Sequence, residues 1–539
     1  MSELLRAMLP EIVLCAVACV LLLMGASMSA AARRAAPVLA VAALAFAGIS
    51  QLANFAGHAP RLDLRWNTVH IYEFARYIKI LSSAIGIMLV MLAWPANAEA
   101  TAGPSIHFGS ECGEFFGLML LSLTGLFLVA GAYDMMLLFI GIELASLPTY
   151  IMVSISRPLP VAQEAGVKYF FLGAMAAALF LLGFSYLYGT TGTVYLHNAI
   201  DADGSVLAGV DSVIRAAGVG LTAWQMFAVV ILIAALAFKM AAFPLHVYAA
   251  DVYQGAATPV TAFLSFVPKA SGFVALLKIL YAAGGSSWNL PVEIGQLLWW
   301  IAALTMTCGN VLGLLQKNVK RVLAYSSIAH SGYMLAAAAA LVTAGAESAT
   351  YQQLAVRGIL FYLAAYGLTN IAAFGVLSLL PARRPQPGSS AETFDDIAGL
   401  GRTNVALGLA MSVACFSLIG IPLTVGFIGK VLLIQPALQA GLVSLVVILV
   451  INSAVSAAYY LSIVAALFLR PGETAPEPEP APWPLPIVGA IACSVIGILA
   501  LGAVVPVMNR GIDRAAAAAH LEINELAPEK PATTALLGR

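Results

Sequence analysis

The sequence predicts an all-α polytopic membrane protein with about fourteen transmembrane helices. It expects two inverted repeats of about five helices each, with breaks in helices 7 and 12. Three observations carry this reading. Hydrophobic residues fill 61% of the 539 positions and charged residues only 10%, where a soluble chain would carry about 25% charge. Mean hydropathy is correspondingly high, at +0.94. Apolar runs long enough to span a bilayer, about 17–25 residues each, recur from one end to the other. Two of these runs, one in each half, are interrupted by proline and glycine beside a lysine.

In order, the spans fall near 9–28, 37–56, 76–94, 115–131, 133–153, 164–188, 224–249, 257–283, 294–315, 321–342, 354–380, 404–434, 439–469 and 484–508. The first is read as an uncleaved span: Glu3 and Arg6 cancel, and the basic pair Arg33 and Arg34 follows the apolar run instead of preceding it. The fourth and fifth are nearly fused, separated only by 132–134. Two Pro-rich polar stretches, 381–390 and 473–482, read as exposed connectors. The tail from Asn509 is Ala-rich, then polar.

The expected organisation is an N-terminal three-helix segment over 1–114 and a first repeat over 115–283. A second, inverted repeat follows over 294–469, then a linker, a last span and the tail over 470–539. An odd number of helices per repeat forces the inversion.

Basic residues follow the odd-numbered spans: Arg33 and Arg34, Arg157, Lys317, Lys320 and Arg321, Arg383, Arg384 and Arg402, and Arg470. Those loops are expected in the cytoplasm and both termini in the periplasm. Arg61, Arg65 and Arg76 dissent.

Composition also excludes. Net charge is zero, so no nucleic-acid partner is expected. The six cysteines form no CxxC and no Cys/His cluster of metal spacing; Cys15 and Cys19 read as small core residues. Neither GxGxxG nor GxxxxGK[ST] occurs. The chain itself is expected to bind no metal and no cofactor.

The chemistry lies in charge held inside apolar runs. Glu143 falls in the fifth span, Lys239 in the seventh, Lys269 in the eighth and Lys430 in the twelfth. Facing lipid, the four would together cost about 10–14 kcal/mol. They are therefore expected to face protein or water. A purely structural set of ion pairs predicts matched charges, and three lysines to one carboxylate match poorly. A lysine desolvated without a counter-ion titrates nearer neutrality, as a proton carrier must. Pro244 and Pro422 mark the helix breaks, and charge beside a broken helix is how transporters build midplane ion sites. Lys168, His246 and His330 are candidate proton relays.

The stretch DVYQGAATPVTAFLSFVPKASGF (251–273) resembles subunit N of bacterial NADH:quinone oxidoreductase, respiratory complex I, the homologue of mitochondrial subunit 2. GIPLTVGFIGK (420–430) matches nearly as well. LLRAMLPEIVL (4–14), FIGIELASLPTYIM (139–152) and KNVKRVLAYSSIAHSGYML (317–335) support it. The first motif separates this chain from the related subunits L and M. The resemblance implies fourteen helices and a proton path carried over onto Glu143, Lys239, Lys269 and Lys430. It implies as partners the antiporter-like subunits M and L, the small subunits K and J, subunits A and H, and hydrophilic redox subunits. NADH, FMN, iron–sulfur clusters and quinone would belong to those partners, and the bacterial inner membrane would be the location.

The expected path runs from Lys239 to Lys269 through water and His246, then towards His330 and Lys430, with Glu143 as gate. The acidic loop holding Asp201, Asp203 and Asp211 and the long tail depart from the family pattern. Three rival readings stay open: a subunit of a multi-subunit cation/proton antiporter, a subunit of a membrane-bound hydrogenase or of a quinone oxidoreductase fed by another donor, and a structural scaffold.

Overall fold

In lipid every backbone polar group must find a partner within the protein, and a helix does so within one segment. The structure is helical accordingly. The computed structural model describes residues 5, 8–27, 30–56, 73–94, 112–157, 159–200, 205–218, 220–285, 288–343, 349–380, 391–470 and 483–503. Among them ten helices are long and apolar enough to cross a membrane, eleven if one sharply bent pair counts as a span. The connectors 381–390 and 473–482, the tail, Arg61, Arg65, Asp201, Asp203, Arg383 and Arg384 lie outside the described residues.

The N-terminal segment holds α1 (Leu9–Gly25), α2 (Ala30–Ala56) and α3 (Glu73–Leu92). The next helices are α4 (Cys112–Gly131), α5 (Met135–Ile155) and α6 (Pro160–Thr191). The nearly fused spans are separated by a cap: Asp134 accepts a hydrogen bond from the Leu137 amide at 2.7 Å and starts α5. Pro160 opens α6, and Gly192, at φ 70°, ends it in the left-handed region.

The acidic loop folds into a two-stranded hairpin, β1 (Ala199–Ile200) against β2 (Val206–Leu207), and a short α7 (Val210–Ala217). There Asp211 pairs with Arg215 at 2.6 Å. A Thr222/Gln225 capping box then begins α8 (Ala223–Lys239).

The second half of this span is α9 (Ala249–Gly255), after an irregular stretch over 240–248. Then come α10 (Thr258–Gly284), α11 (Val292–Leu314), α12 (Val319–Thr343) and α13 (Ala349–Leu379). Two short turns, α14 (Phe394–Ile397) and α15 (Leu400–Thr403), lead into α16 (Val405–Ile419). They meet it at 120° and form the sharply bent pair. After Gly420 and Pro422 the chain resumes as α17 (Val425–Gln439), followed by α18 (Val443–Phe468) and α19 (Leu485–Ala503).

Helix α10 is the axle. Its apolar window is 100% buried, enclosed by α4, α5, α8 and α13. Lys269 therefore never faces lipid. Apolar side chains such as Leu23, Ile49, Phe171, Ile451 and Leu485 cover the exposed outer faces. Cys19 lies on that outer face and not in the core, while Cys112, outside the apolar runs, is buried.

Candidate functional site

Of three buried lysines, two sit at or beside places where helices stop and one stands inside a continuous helix. Lys239 is the last residue of α8, and Met240 and Ala241 turn the chain away, Ala241 at φ 54°. The Lys239 ammonium donates to Glu143 Oε1 at 3.2 Å, Ser146 Oγ at 2.7 Å and Tyr150 Oη at 3.4 Å, all from α5. Its three N–H groups are thereby committed. Glu143 is the more exposed partner, its side chain 15% accessible against 1% for the lysine.

Lys269 stands halfway along α10, directly after Pro268. It donates to the Ser327 carbonyl and, at 2.9 Å, to Ser331 Oγ on α12. Among the described residues no carboxylate reaches it. Its remaining side is the Tyr366 ring, 5.7 Å away.

Lys430, on α17, reaches back across the second break. It donates to the Leu418 and Ile419 carbonyls at 3.0 and 2.7 Å and to Ser453 Oγ at 2.6 Å. Those carbonyls end α16 and have no helical partner, so the lysine caps one half of the broken span from the other. It too has no carboxylate among the described residues.

Short steps join the three. Ser331 Oγ donates at 2.6 Å to the Met240 carbonyl, which adjoins Lys239. One hydroxyl thus connects the first break to Lys269. Gly272 makes this approach possible, because a Cβ there would sit 2.9 Å from Met240 Cγ and 3.3 Å from Lys239 Cβ. Tyr366 is shared between Lys269 and His330, whose ring lies 5.1 Å from it. Tyr333 is shared between His330, at 5.3 Å, and Lys430, at 5.0 Å. His330 Nδ1 and Nε2 contact the Tyr362 and Tyr460 hydroxyls at 2.7 and 3.1 Å. The order is Glu143, Lys239, Ser331, Lys269, Tyr366, His330, Tyr333, Lys430.

Two expected relays stand elsewhere. His246 lies in the first break but bonds to neither lysine; its ring stacks on Phe243, and Nδ1 has no hydrogen-bond partner. The Ser331 hydroxyl occupies the linking position instead. Lys168 is exposed, its side chain 45% accessible, and pairs with Glu164 at 2.7 Å and Asp251 at 3.0 Å. Asp251 also holds Arg321 at 2.8 Å. These charges sit at the rim, where a lysine reaches water without desolvation. The serine and tyrosine partners left little sequence signal beyond hydroxyls within apolar runs, as at Tyr362 and Tyr366 one turn apart.

A second charged group ties the halves together. Glu392, before α14, takes Arg157 at 2.8 Å and Lys320 at 3.4 Å. Both cations also donate to the Gln254 carbonyl, and Lys320 to that of Ala256 at 2.6 Å. They cap the C-terminal end of α9.

A polytopic helical chain with lysines lodged at helix breaks belongs to the antiporter-type membrane subunits as a class. Comparison narrows this. Residues 132–456 match a family model described as NADH:quinone oxidoreductase/Mrp antiporter, TM. NADH-quinone oxidoreductase subunit N of Trichlorobacter lovleyi is 37% identical over 410 residues, covering 76% of this chain and 78% of that protein. A chain of respiratory complex I from Thermus thermophilus is 29% identical, with a TM-score of 0.71 over 94% of this chain and 99% of that one. A chain of the Mrp complex from Dietzia sp. DQ12-45-1b matches with a TM-score of 0.73 at 19% identity, over 96% and 98% of the two chains, and shares the fold alone. The chain belongs to the NADH-quinone oxidoreductase subunit N family.

Proposed function

We propose that this chain moves protons along the ordered line from Glu143 to Lys430 and carries no redox centre. The single observation supporting this is the continuity of that line: three buried lysines, two lacking a carboxylate among the described residues, joined by hydroxyls and tyrosines within one row. Glu143 gates, because its carboxylate is the counter-ion held against the Lys239 ammonium. When Lys239 is loaded, its charge disfavours a second charge on Lys269, so protons advance one station at a time. Moving one charge against 100 mV costs about 2.3 kcal/mol, comparable to a two-unit swing in one group's pKa. On this reading, water would carry the proton past the Tyr366 and Tyr333 rings.

On this reading the chain crosses the membrane about fourteen times. The short helices α1, α8 and α17 contribute, the last two as halves of broken spans, and α12, charged at its start, crosses too. The two inverted repeats cover 115–283 and 294–469. Both termini face the periplasm, in the bacterial inner membrane. The driving reaction, from NADH to quinone, occurs at FMN and iron–sulfur clusters in hydrophilic partner subunits. Subunits M, L, K, J, A and H complete the membrane arm.

Mass spectrometry of what co-purifies with a tagged copy in mild detergent tests the assembly. Flavin and iron–sulfur subunits are expected. Small cation-antiporter partners alone would overturn the redox-driven reading.

A further inference from the structure

The N-terminal segment holds a buried ion pair that the central line does not use. Glu11, in the first turn of α1, meets Lys79 on α3 at 2.5 Å, with side chains 4% and 0% accessible. Buried polar groups around it lack partners. Glu11 Oε2, Gln51 Oε1, Ser82 Oγ and Ser83 Oγ each make no hydrogen bond among the described residues.

This is unusual within the molecule. Ser122, Ser146, Ser265 and Ser271 all turn their hydroxyls onto backbone carbonyls, the ordinary outcome for a serine in an apolar helix. Ser82 and Ser83 do not.

The groups share one level of the bundle. Ser83 lies one turn from Lys79 and packs on Gly48 of α2, where a Cβ would stand 3.1 Å from Ser83 Cβ. Gln51 is one turn beyond Gly48, and α2 and α3 run antiparallel, so Gln51 comes level with Lys79. Lys79 brings three donors, and its ammonium, though paired by distance with Glu11 Oε1, makes no hydrogen bond among the described residues. Buried polar atoms left without protein partners are normally satisfied by internal water bridging two to four of them.

We propose that Glu11, Lys79, Gln51 and Ser83 enclose an internal water-binding site, a hydrated ion pair in the N-terminal bundle, separate from the central line. The ligand is water, held by carboxylate, ammonium, amide and hydroxyl groups. The site lies near the start of α1, the end of α2 and the start of α3, all at one side of the membrane. Hydration keeps both charges of the pair while it pins α1 to α3.

The test is a cryo-EM map of the whole complex at a resolution that shows ordered water. Density for at least one water within hydrogen-bonding distance of Glu11 Oε2 and of Gln51, Lys79 or Ser83 is expected. The same map of Glu11→Gln/Lys79→Met should lose it. Direct pairing of these side chains with one another, and no water between them, would overturn the proposal. Should the double variant fail to assemble, Ser83→Ala with Gln51→Leu serves instead: wild-type water that persists unchanged in it would equally overturn the proposal.

Discussion

Lys269 differs from its two neighbours in its hydrogen bonds. Lys239 and Lys430 each commit three N–H groups to hydrogen bonds. Lys269 commits two, to Ser327 and Ser331, and turns the rest of its ammonium to an aromatic face. On the proposed reading, the spare donor makes it the station best able to take water and pass a proton on. Lys269→Met should lower coupled quinone reduction by on the order of a hundredfold, measured in membranes with assembly checked by native gel; near-normal turnover would remove it from the path. Ser331→Ala, which breaks the link to Met240, should assemble normally yet turn over more slowly; unchanged turnover would show that the hydroxyl carries nothing.

Much of this was readable in the sequence. A charge inside an apolar run is conspicuous, so Glu143 and the three lysines stood out, as did the excess of lysine over carboxylate. The satisfaction of the unmatched lysines was not readable, because carbonyls freed by a break acquire partners only through packing. Glu11 and Lys79 escaped for a related reason: each lies near a span end, where a charge ordinarily reaches water.

At the scale of elements the breaks decide the chemistry. Pro244 and Pro422 announce them, but glycine sets their geometry. A Cβ on Gly426 would come 1.9 Å from the Ser417 carbonyl oxygen, a backbone atom that cannot swing aside. Gly426→Ala should therefore destabilise the second break by about 1–3 kcal/mol or more, read as a lower thermal midpoint of the purified complex; a wild-type midpoint would contradict the close approach.

The rim charges separate by burial. Losing the carboxylate of Glu392 takes from Lys320, 0% accessible, its ion-pair partner and from Arg157, 3% accessible, one of its partners, at a cost of about 3–5 kcal/mol. Losing that of Asp251 leaves Lys168 still paired with Glu164 and the half-exposed Arg321 still held by Gln254 and Gln316, at about 0–1 kcal/mol. Assembly yield should fall much further for Glu392→Gln than for Asp251→Asn, and the reverse order would contradict this account of the clamp.

The hairpin loop makes a pH-dependent element. Burial holds the His197 imidazole below its ordinary value, against the opposing pull of Asp211. As pH falls below about 6.5 the unfolded ring takes a proton that the folded ring refuses, so stability is lost towards acid and unaffected above. Amide exchange in α7, corrected for intrinsic rate, should quicken between about pH 7.5 and 5.5 in the wild type but not in His197→Gln. Equal acceleration in both would contradict the assignment.

Over the whole molecule, the line and the clamp both cross from the first half of the chain to the second. Ser331, from the second half, meets Met240 of the first; Glu392 meets Arg157. The two halves are thus joined at the Ser331 hydroxyl, which stands between Lys269 and the Met240 carbonyl of the first half, and at the rim. Run length carries the span count, loop charge the orientation and the two proline- and glycine-interrupted spans the expected repeat, and none of these says which helices meet. The central placement of α10 is a property of packing alone.

The most direct test of the proposed proton line is to measure the rates of proton pumping and of quinone reduction by the whole complex in sealed proteoliposomes, comparing the wild type with Lys269→Met and Lys430→Met. The account predicts that both variants assemble and that pumping and coupled quinone reduction fall together. Full pumping at the wild-type rate in either variant would contradict it.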